Sequence, residues 1–211
     1  MPEHEVQVFC TARSGSTLVR GILYDLLGPS VPPQTHDIDL LDCRLLVVVY
    51  RDFRDSAASL WRASVAEFDT DEDKRVATVK EAIAAAETIK GHTERLGNIQ
   101  HDEDTTLWLR YEDFIGHEAR LFLQLAAFVG IEYPVSAAQL LSIADKWSME
   151  NVRRIASQRD GWKDWDETYQ IHGHHVYKGE VGCWRELFPP ESHSVVEYIL
   201  GDHLRRWGYL I

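Results

Sequence analysis

Residues Val6–Ile22 read VQVFCTARSGSTLVRGI, and no other stretch restricts the fold so tightly. Val6, Val8 and Phe9 make a short apolar run of strand length. Thr11–Thr17 follows, small and hydroxylated, with a single cation at Arg13. Leu18, Ile22, Leu23, Leu26 and Leu27 then recur at helical spacing. A strand, a tight loop and a helix in that order aim backbone N–H groups at an anion, because the first N–H groups of a helix have no internal partner and its dipole favours negative charge there. Gly15 lets the backbone turn closely, Arg13 supplies fixed positive charge, and Ser14, Ser16 and Thr17 supply hydroxyl donors. The stretch therefore reads as a phosphate- or sulfate-binding loop. The plainer alternative is ordinary connection chemistry, with Ser or Thr as N-cap.

Three neighbouring readings drop out. The loop lacks the Gly-x-x-x-x-Gly-Lys-Ser/Thr of a Walker A site, and no Gly-x-Gly-x-x-Gly supports a dinucleotide. Cys10 suggests a cysteine phosphatase, yet the position six residues on, where the phosphate-binding Arg would stand, is Ser16.

A length of 211 residues suits one domain with a sizeable core, here taken as 1–211 with a lid or acceptor-binding segment at about 158–185. The formal net charge of −12 argues against general nucleic-acid binding, which needs a broad basic surface, so cations for an anionic ligand must be concentrated locally. Cys10, Cys43 and Cys183 are widely spaced and odd in number, which gives neither a disulfide framework nor a zinc pattern and suggests a reducing compartment. MPEHEVQ is no signal peptide, and the longest apolar run, Leu45–Tyr50, is far too short to span a bilayer. The expectation is a cytoplasmic protein without membrane or nucleic-acid partners.

Leu45–Tyr50 is continuous, apolar and β-branched, the signature of a strand buried on both faces of a parallel sheet. Further along, the pattern predicts helices over Ser56–Phe68 and Asp71–Leu96, the second long, Ala-rich and mostly exposed. A strand follows over Thr106–Arg110, then an amphipathic helix from Gly116 to Val129 through Leu121, Leu125 and Phe128. Two short helices cover Ser136–Asp145 and Ser148–Ser157, Gln158–Gly182 is irregular, and a last helix spans about Glu191–Trp207. Strands alternating with helices imply an α/β fold, a three-layer parallel sheet with helices on both faces joined by right-handed crossovers. Ligands of such sheets sit beyond the carboxyl ends of the strands, and Arg13, Arg51 and Tyr111 all fall just past one.

Arg51 and Ser59 are eight residues apart, the first ending a buried strand and the second in the opening turns of the next helix. A guanidinium and a hydroxyl so placed can hold one phosphate between them, although Arg51 also has Asp52 and Asp55 as pairing partners. Together with the first loop this resembles the sulfotransferases that use 3′-phosphoadenosine 5′-phosphosulfate (PAPS). Cys10–Leu18 is similar to the family's 5′-phosphosulfate loop, with Arg13 in the place of its Lys or Arg. Val49–Ser59, VYRDFRDSAAS, is similar to its 3′-phosphate motif, with Arg51 and Ser59 in register. Arg110–Ile115, followed by an amphipathic helix and Phe128-Val129-Gly130-Ile131, resembles the stretch whose tyrosine, here Tyr111, lies near the adenine. Lys178–Arg185, KGEVGCWR, resembles the late loop that closes over the 3′-phosphate, and Trp147-Ser148 loosely matches the segment that stacks the adenine.

The resemblance implies a P-loop-NTPase-like sulfotransferase fold, PAPS as cofactor with adenosine 3′,5′-bisphosphate as product, and no metal. It assigns the cofactor to Arg13, Ser14, Gly15, Ser16, Thr17, Arg51, Ser59, Tyr111, Trp147, Ser148, Lys178 and Gly179. Two departures stand out: Tyr177 replaces the usual Arg before the Lys-Gly pair, so one cation on the 3′-phosphate is either missing or supplied by Lys178 or Arg185, and the stretch between the first two motifs is much shorter than in the cytosolic small-molecule branch.

Sulfuryl transfer needs in-line oxygens and stabilisation of charge growing on the leaving phosphate, a task for Arg13 and the loop N–H groups. The acceptor must also lose a proton. Thr35-His36 resembles the pair that carries the catalytic histidine of the cytosolic branch, so His36 is the first choice of base, with Asp37 and Asp39 as rivals. His172-Gly173-His174-His175 lies too close-set in an irregular segment to make a closed metal site alone. Trp162, Trp165, Tyr169 and Tyr177 flank it and either line an apolar acceptor pocket or anchor a long loop. The expected partner is a small-molecule or carbohydrate acceptor. The competing functions are a non-catalytic binder of PAPS or its product, and a nucleotide kinase, which the missing Walker lysine disfavours. The oligomeric state is not legible in the sequence.

Overall fold

The computed structural model describes residues 4–65, 76–100, 102–131, 136–161, 164, 166, 168–173 and 179–210. These fall into two compact units, one from Met1–Cys10, Gly15–Tyr50 and Gln100–Val176, the other from Thr11–Ser14, Arg51–Ile99 and Tyr177–Ile211.

The first unit holds a parallel sheet of β1 (His4–Cys10), β2 (Cys43–Tyr50) and β3 (Thr106–Arg110), in the order β1-β2-β3. β2 is the central strand of the three, which is why its sequence is the most continuously apolar. The register pairs Cys10 with Val49 and Tyr50 with Arg110, so the three carboxyl ends share one edge. Val6, Val8, Leu45, Val47 and Leu109 alternate onto one sheet face and pack with Ile22 and Leu23 of α1 (Ser16–Leu27) and Leu121 and Leu125 of α5 (Glu118–Phe128). Each such side chain contributes roughly 1.5–3 kcal/mol when fully buried. A four-residue helix, α4 (Tyr111–Phe114), leads from β3 towards α5, an element the periodicity does not signal. α6 (Ala137–Lys146) and α7 (Met149–Ser157) begin where their serines stand, at N-caps Ser136 and Ser148, one residue inside the predicted starts.

The second unit is helical. α2 (Phe53–Val65) starts three residues before the predicted Ser56, because Asp52 caps it: its Oδ1 accepts from the Arg54 N–H at 3.0 Å. α3 (Val79–Leu96) starts later than the predicted Asp71. Thr78 and Glu81 form a capping box there, and 76–78 are not helical. α3 keeps its exposed charged face, as at Lys80, Glu87 and Glu94, while Ala82, Ala85, Ala86, Ile89, Thr93 and Leu96 are buried against α2 and α9 (Pro190–Arg206). Ala82, Ala85 and Ala86 are small residues that admit close helix packing on that buried face. A last short helix, α8 (Trp184–Leu187), packs on α2. Among the described residues no helix is long and apolar enough to cross a membrane.

Candidate active site

In the first unit, β1 delivers the chain to the sheet edge at Cys10, and α1 begins with Gly15 as N-cap. Gly15 has φ +86°, and a Cβ there would lie 2.7 Å from the Tyr111 ring, so two independent demands exclude other residues. The N-cap Gly15 has no side chain to cap α1 and the first turn carries no acid, so the dipole and the leading N–H groups suit an external anion. Ser16 and Thr17 open the helix, both buried, and Thr17 Oγ1 accepts from Gln34 Nε2 at 3.4 Å. Tyr111, the first residue of α4, is buried against Gly15 and stacks edge-on with Phe114 at 5.5 Å.

His36 owes its position to the free edge of β1. Thr35 pairs with that edge, its N–H donating to Val8 O and its carbonyl accepting from Cys10 N, both at 3.0 Å. The next side chain then reaches Cys10, with His36 Nδ1 2.7 Å from the Cys10 carbonyl. A carbonyl only accepts, so Nδ1 carries the proton of the neutral ring and Nε2 is its basic nitrogen. The Cys10 thiol, 3.3 Å from the same Nδ1, is pushed up to about 12 by burial, which removes it as a nucleophile. Asp37 and Asp39 are exposed, and Asp37 Oδ1 accepts from Asp39 N at 3.1 Å as the cap of a 3-10 turn.

Sequence reasoning overlooked Arg20. It is buried on α1 and donates to the carbonyls of Pro32 at 2.9 Å, Thr168 at 2.5 Å and Val31 at 3.3 Å, tying down the segment that leads to His36. Its one signal is a cation inside an otherwise apolar helix face. Trp147 lies in the core with 3 % of its surface exposed, its ring where a side chain on Gly21 would stand and its N–H donating to Asp25 at 2.9 Å. Ser148 caps α7, accepting from Asn151 N at 3.2 Å and donating to Asp145 O at 2.8 Å.

In the second unit Arg13, Arg51 and Ser59 converge. Arg13 has φ +63°, a left-handed conformation costing a non-glycine residue roughly 1–2 kcal/mol, and its Nε donates to Ser59 Oγ at 3.2 Å. Burial first, and the neighbouring Arg51 cation second, push Arg13 down to about 10, still charged at neutral pH. Ser14 is buried and shapes the same loop by donating to Thr11 O at 2.8 Å.

The sequence left Arg51 with either aspartate as partner. In the structure Asp52 is taken by Arg54, Oδ2 to Nη2 at 2.7 Å, and Arg51 Nη2 lies 3.5 Å from Asp55 Oδ2, one helical turn on. Arg51 Nη2 also donates to Glu180 O at 2.6 Å. Gly179, at φ +68°, begins the described part of this late loop, and Arg185 lies over the Trp184 ring at 4.6 Å. Lys178, Tyr177, Trp162, Trp165, His174 and His175 lie outside the described residues. Among the described residues, no three His, Cys, Asp or Glu side chains form a group able to hold a metal ion.

Fold and site define an α/β protein with a helix N-terminus left open at the sheet edge and a paired-arginine cluster. Residues 31–208 match the sulfotransferase domain model, and the chain belongs to that family. The matched span contains His36, Arg51, Ser59, Tyr111 and the late loop, while Val6–Ile22 precedes it. The chain shares its fold with the mouse sulfotransferase SULT7A1 complexed with PAP, at a TM-score of 0.67 and 14% identity over 98% of this chain and 85% of that one. It is similar also to a retinol dehydratase in complex with androsterone and inactive cofactor PAP, at 0.66 and 16% identity over 97% and 82% of the two chains. The retinol dehydratase complex with retinol and PAP gives 0.62 and 17% over the same shares. No curated protein sequence matches this chain significantly.

Proposed function

We propose that this protein is a PAPS-dependent sulfotransferase that delivers a sulfuryl group to a hydroxyl or amine of a small-molecule or sugar acceptor. The observation that carries the reading is the convergence of Arg13, Arg51 and Ser59, with two guanidinium groups close enough for one to depress the other. Asp55 already faces Arg51, and two cations this near one another still favour an anionic ligand over a neutral one. The uncapped N-terminus of α1 supports the same chemistry in the first unit.

PAPS, when bound, supplies the activated sulfuryl group. Arg51 and Ser59 hold the 3′-phosphate, and the N–H groups from Ser14 to Thr17 orient the 5′-phosphosulfate. Arg13 offsets negative charge building on the leaving phosphate oxygen as the sulfur–oxygen bond breaks. His36 Nε2 takes the proton of the acceptor oxygen as the new bond to sulfur forms, its tautomer set by the Cys10 carbonyl. Tyr111 packs the loop through Gly15 and so fixes where the phosphosulfate sits.

A thermal-shift comparison tests the reading. Adenosine 3′,5′-bisphosphate at a hundredfold excess over its Kd stabilises the protein by about 2.7 kcal/mol, whereas ATP with magnesium does little. Equal shifts from the two nucleotides contradict it.

A further inference from the structure

Asp55 is a fully buried carboxylate, read from the sequence only as one of two pairing partners for Arg51. Its Oδ2 accepts from the Gly182 N–H at 2.7 Å and faces Arg51 Nη2 at 3.5 Å. Its Oδ1 accepts from the Trp184 N–H at 3.0 Å and lies 3.5 Å from Cys183 Sγ. Burial, with Asp55 second, pushes the Cys183 thiol up to about 12, so it keeps its proton and donates. One carboxylate thus gathers two backbone N–H groups, a thiol and a guanidinium. Gly179 and Gly182 make the geometry available, because positive φ values of 68° and 85° fold the loop back on α2. The loop closes the circle by offering Glu180 O to Arg51.

We propose that Asp55 is the positioning residue that gives the site its selectivity for a 3′-phosphate, by locking Arg51 and the 179–184 loop into one rigid assembly. The inference rests on the reading of Arg51 as a 3′-phosphate ligand. Asp55 itself touches no part of the nucleotide. It fixes the direction of the guanidinium and brings the loop to it. A carboxylate is required, since an amide in its place turns an NH2 group towards either the Gly182 or the Trp184 N–H, donor against donor. Preorganising a charged fork in this way favours a ligand whose phosphate meets it and does nothing for one that lacks that group.

The test compares adenosine 3′,5′-bisphosphate with adenosine 5′-monophosphate, which differ only in the 3′-phosphate, by calorimetry on the wild type, Asp55→Asn and Arg51→Ala. Asp55→Asn is expected to weaken the bisphosphate about 10- to 100-fold while moving the monophosphate less than about twofold, following Arg51→Ala. A purely structural role lowers both affinities together. If Asp55→Asn keeps the wild-type ratio while Arg51→Ala loses it, the inference is overturned and the functional reading stands. If the wild type itself does not prefer the bisphosphate, both fall. Hydrogen exchange on the wild type needs no variant to fold: the bisphosphate, and not the monophosphate, slows exchange of the Gly182 and Trp184 amides. Equal protection by the two ligands overturns the inference.

Discussion

At the scale of single residues, the site separates groups that hold shape from groups that do chemistry. Gly15 belongs to the first kind: Gly15→Ala combines a positive φ with a clash on Tyr111 and is expected to lower stability by about 1–3 kcal/mol, read from urea unfolding. Trp147 does too. The sequence offered it as a partner for adenine, but the structure seals its ring against Gly21 and Tyr169, so Trp147→Ala is expected to cost about 3–5 kcal/mol of folding stability in the same assay. His36, the base proposed above, would be of the second kind. His36→Ala leaves calorimetric binding of adenosine 3′,5′-bisphosphate unchanged while turnover of PAPS falls at least about 100-fold, within the usual worth of a general base. Undiminished turnover moves the base to Asp37 or Asp39. Thiol chemistry offers a further check. Thiols near pKa 12 hold only about one part in ten thousand as thiolate at pH 8, so mass spectrometry should find Cys10 and Cys183 unalkylated in the folded protein. Rapid labelling of both at pH 8 contradicts the burial described here. Residue type and the family resemblance together raise Arg13, Arg51 and Ser59 as anion ligands, and the structure brings Arg13 against Ser59 and near Arg51. Asp55 stays hidden in the sequence, since RDFRD presents two carboxylates and only helix phase decides which one faces Arg51.

At the scale of elements, apolar runs and helical spacing locate the strands and most helices, and the errors lie where a cap overrides periodicity. Asp52 starts α2 early and Thr78 starts α3 late, both through side-chain bonds to backbone N–H groups that a hydrophobic pattern does not encode. Thr78→Ala removes the acceptor of the Glu81 N–H and is expected to destabilise by about 0.5–2 kcal/mol in chemical unfolding, with nucleotide affinity unchanged. α4 escapes notice for a different reason. Four residues carry too little periodicity to register, yet this short turn is what presents Tyr111 to Gly15.

At the scale of the whole molecule, the alternation of strand and helix is sufficient for the α/β class, because a parallel sheet is the arrangement short strands and long crossovers allow. The grouping of residues into units is not legible. Thr11–Ser14 lies between β1 and α1 in sequence but clusters with the helices of the second unit, where Arg13 meets Ser59. That placement turns an acidic chain of net charge −12 into one with a local concentration of cations. Calorimetric titration of adenosine 3′,5′-bisphosphate into the wild type and Arg51→Ala measures this most directly. The wild type binds, and the variant loses about 1.5–3 kcal/mol, the usual worth of a hydrogen bond to a charged group. Absence of binding by the wild type, or equal affinities for the two proteins, contradicts the account.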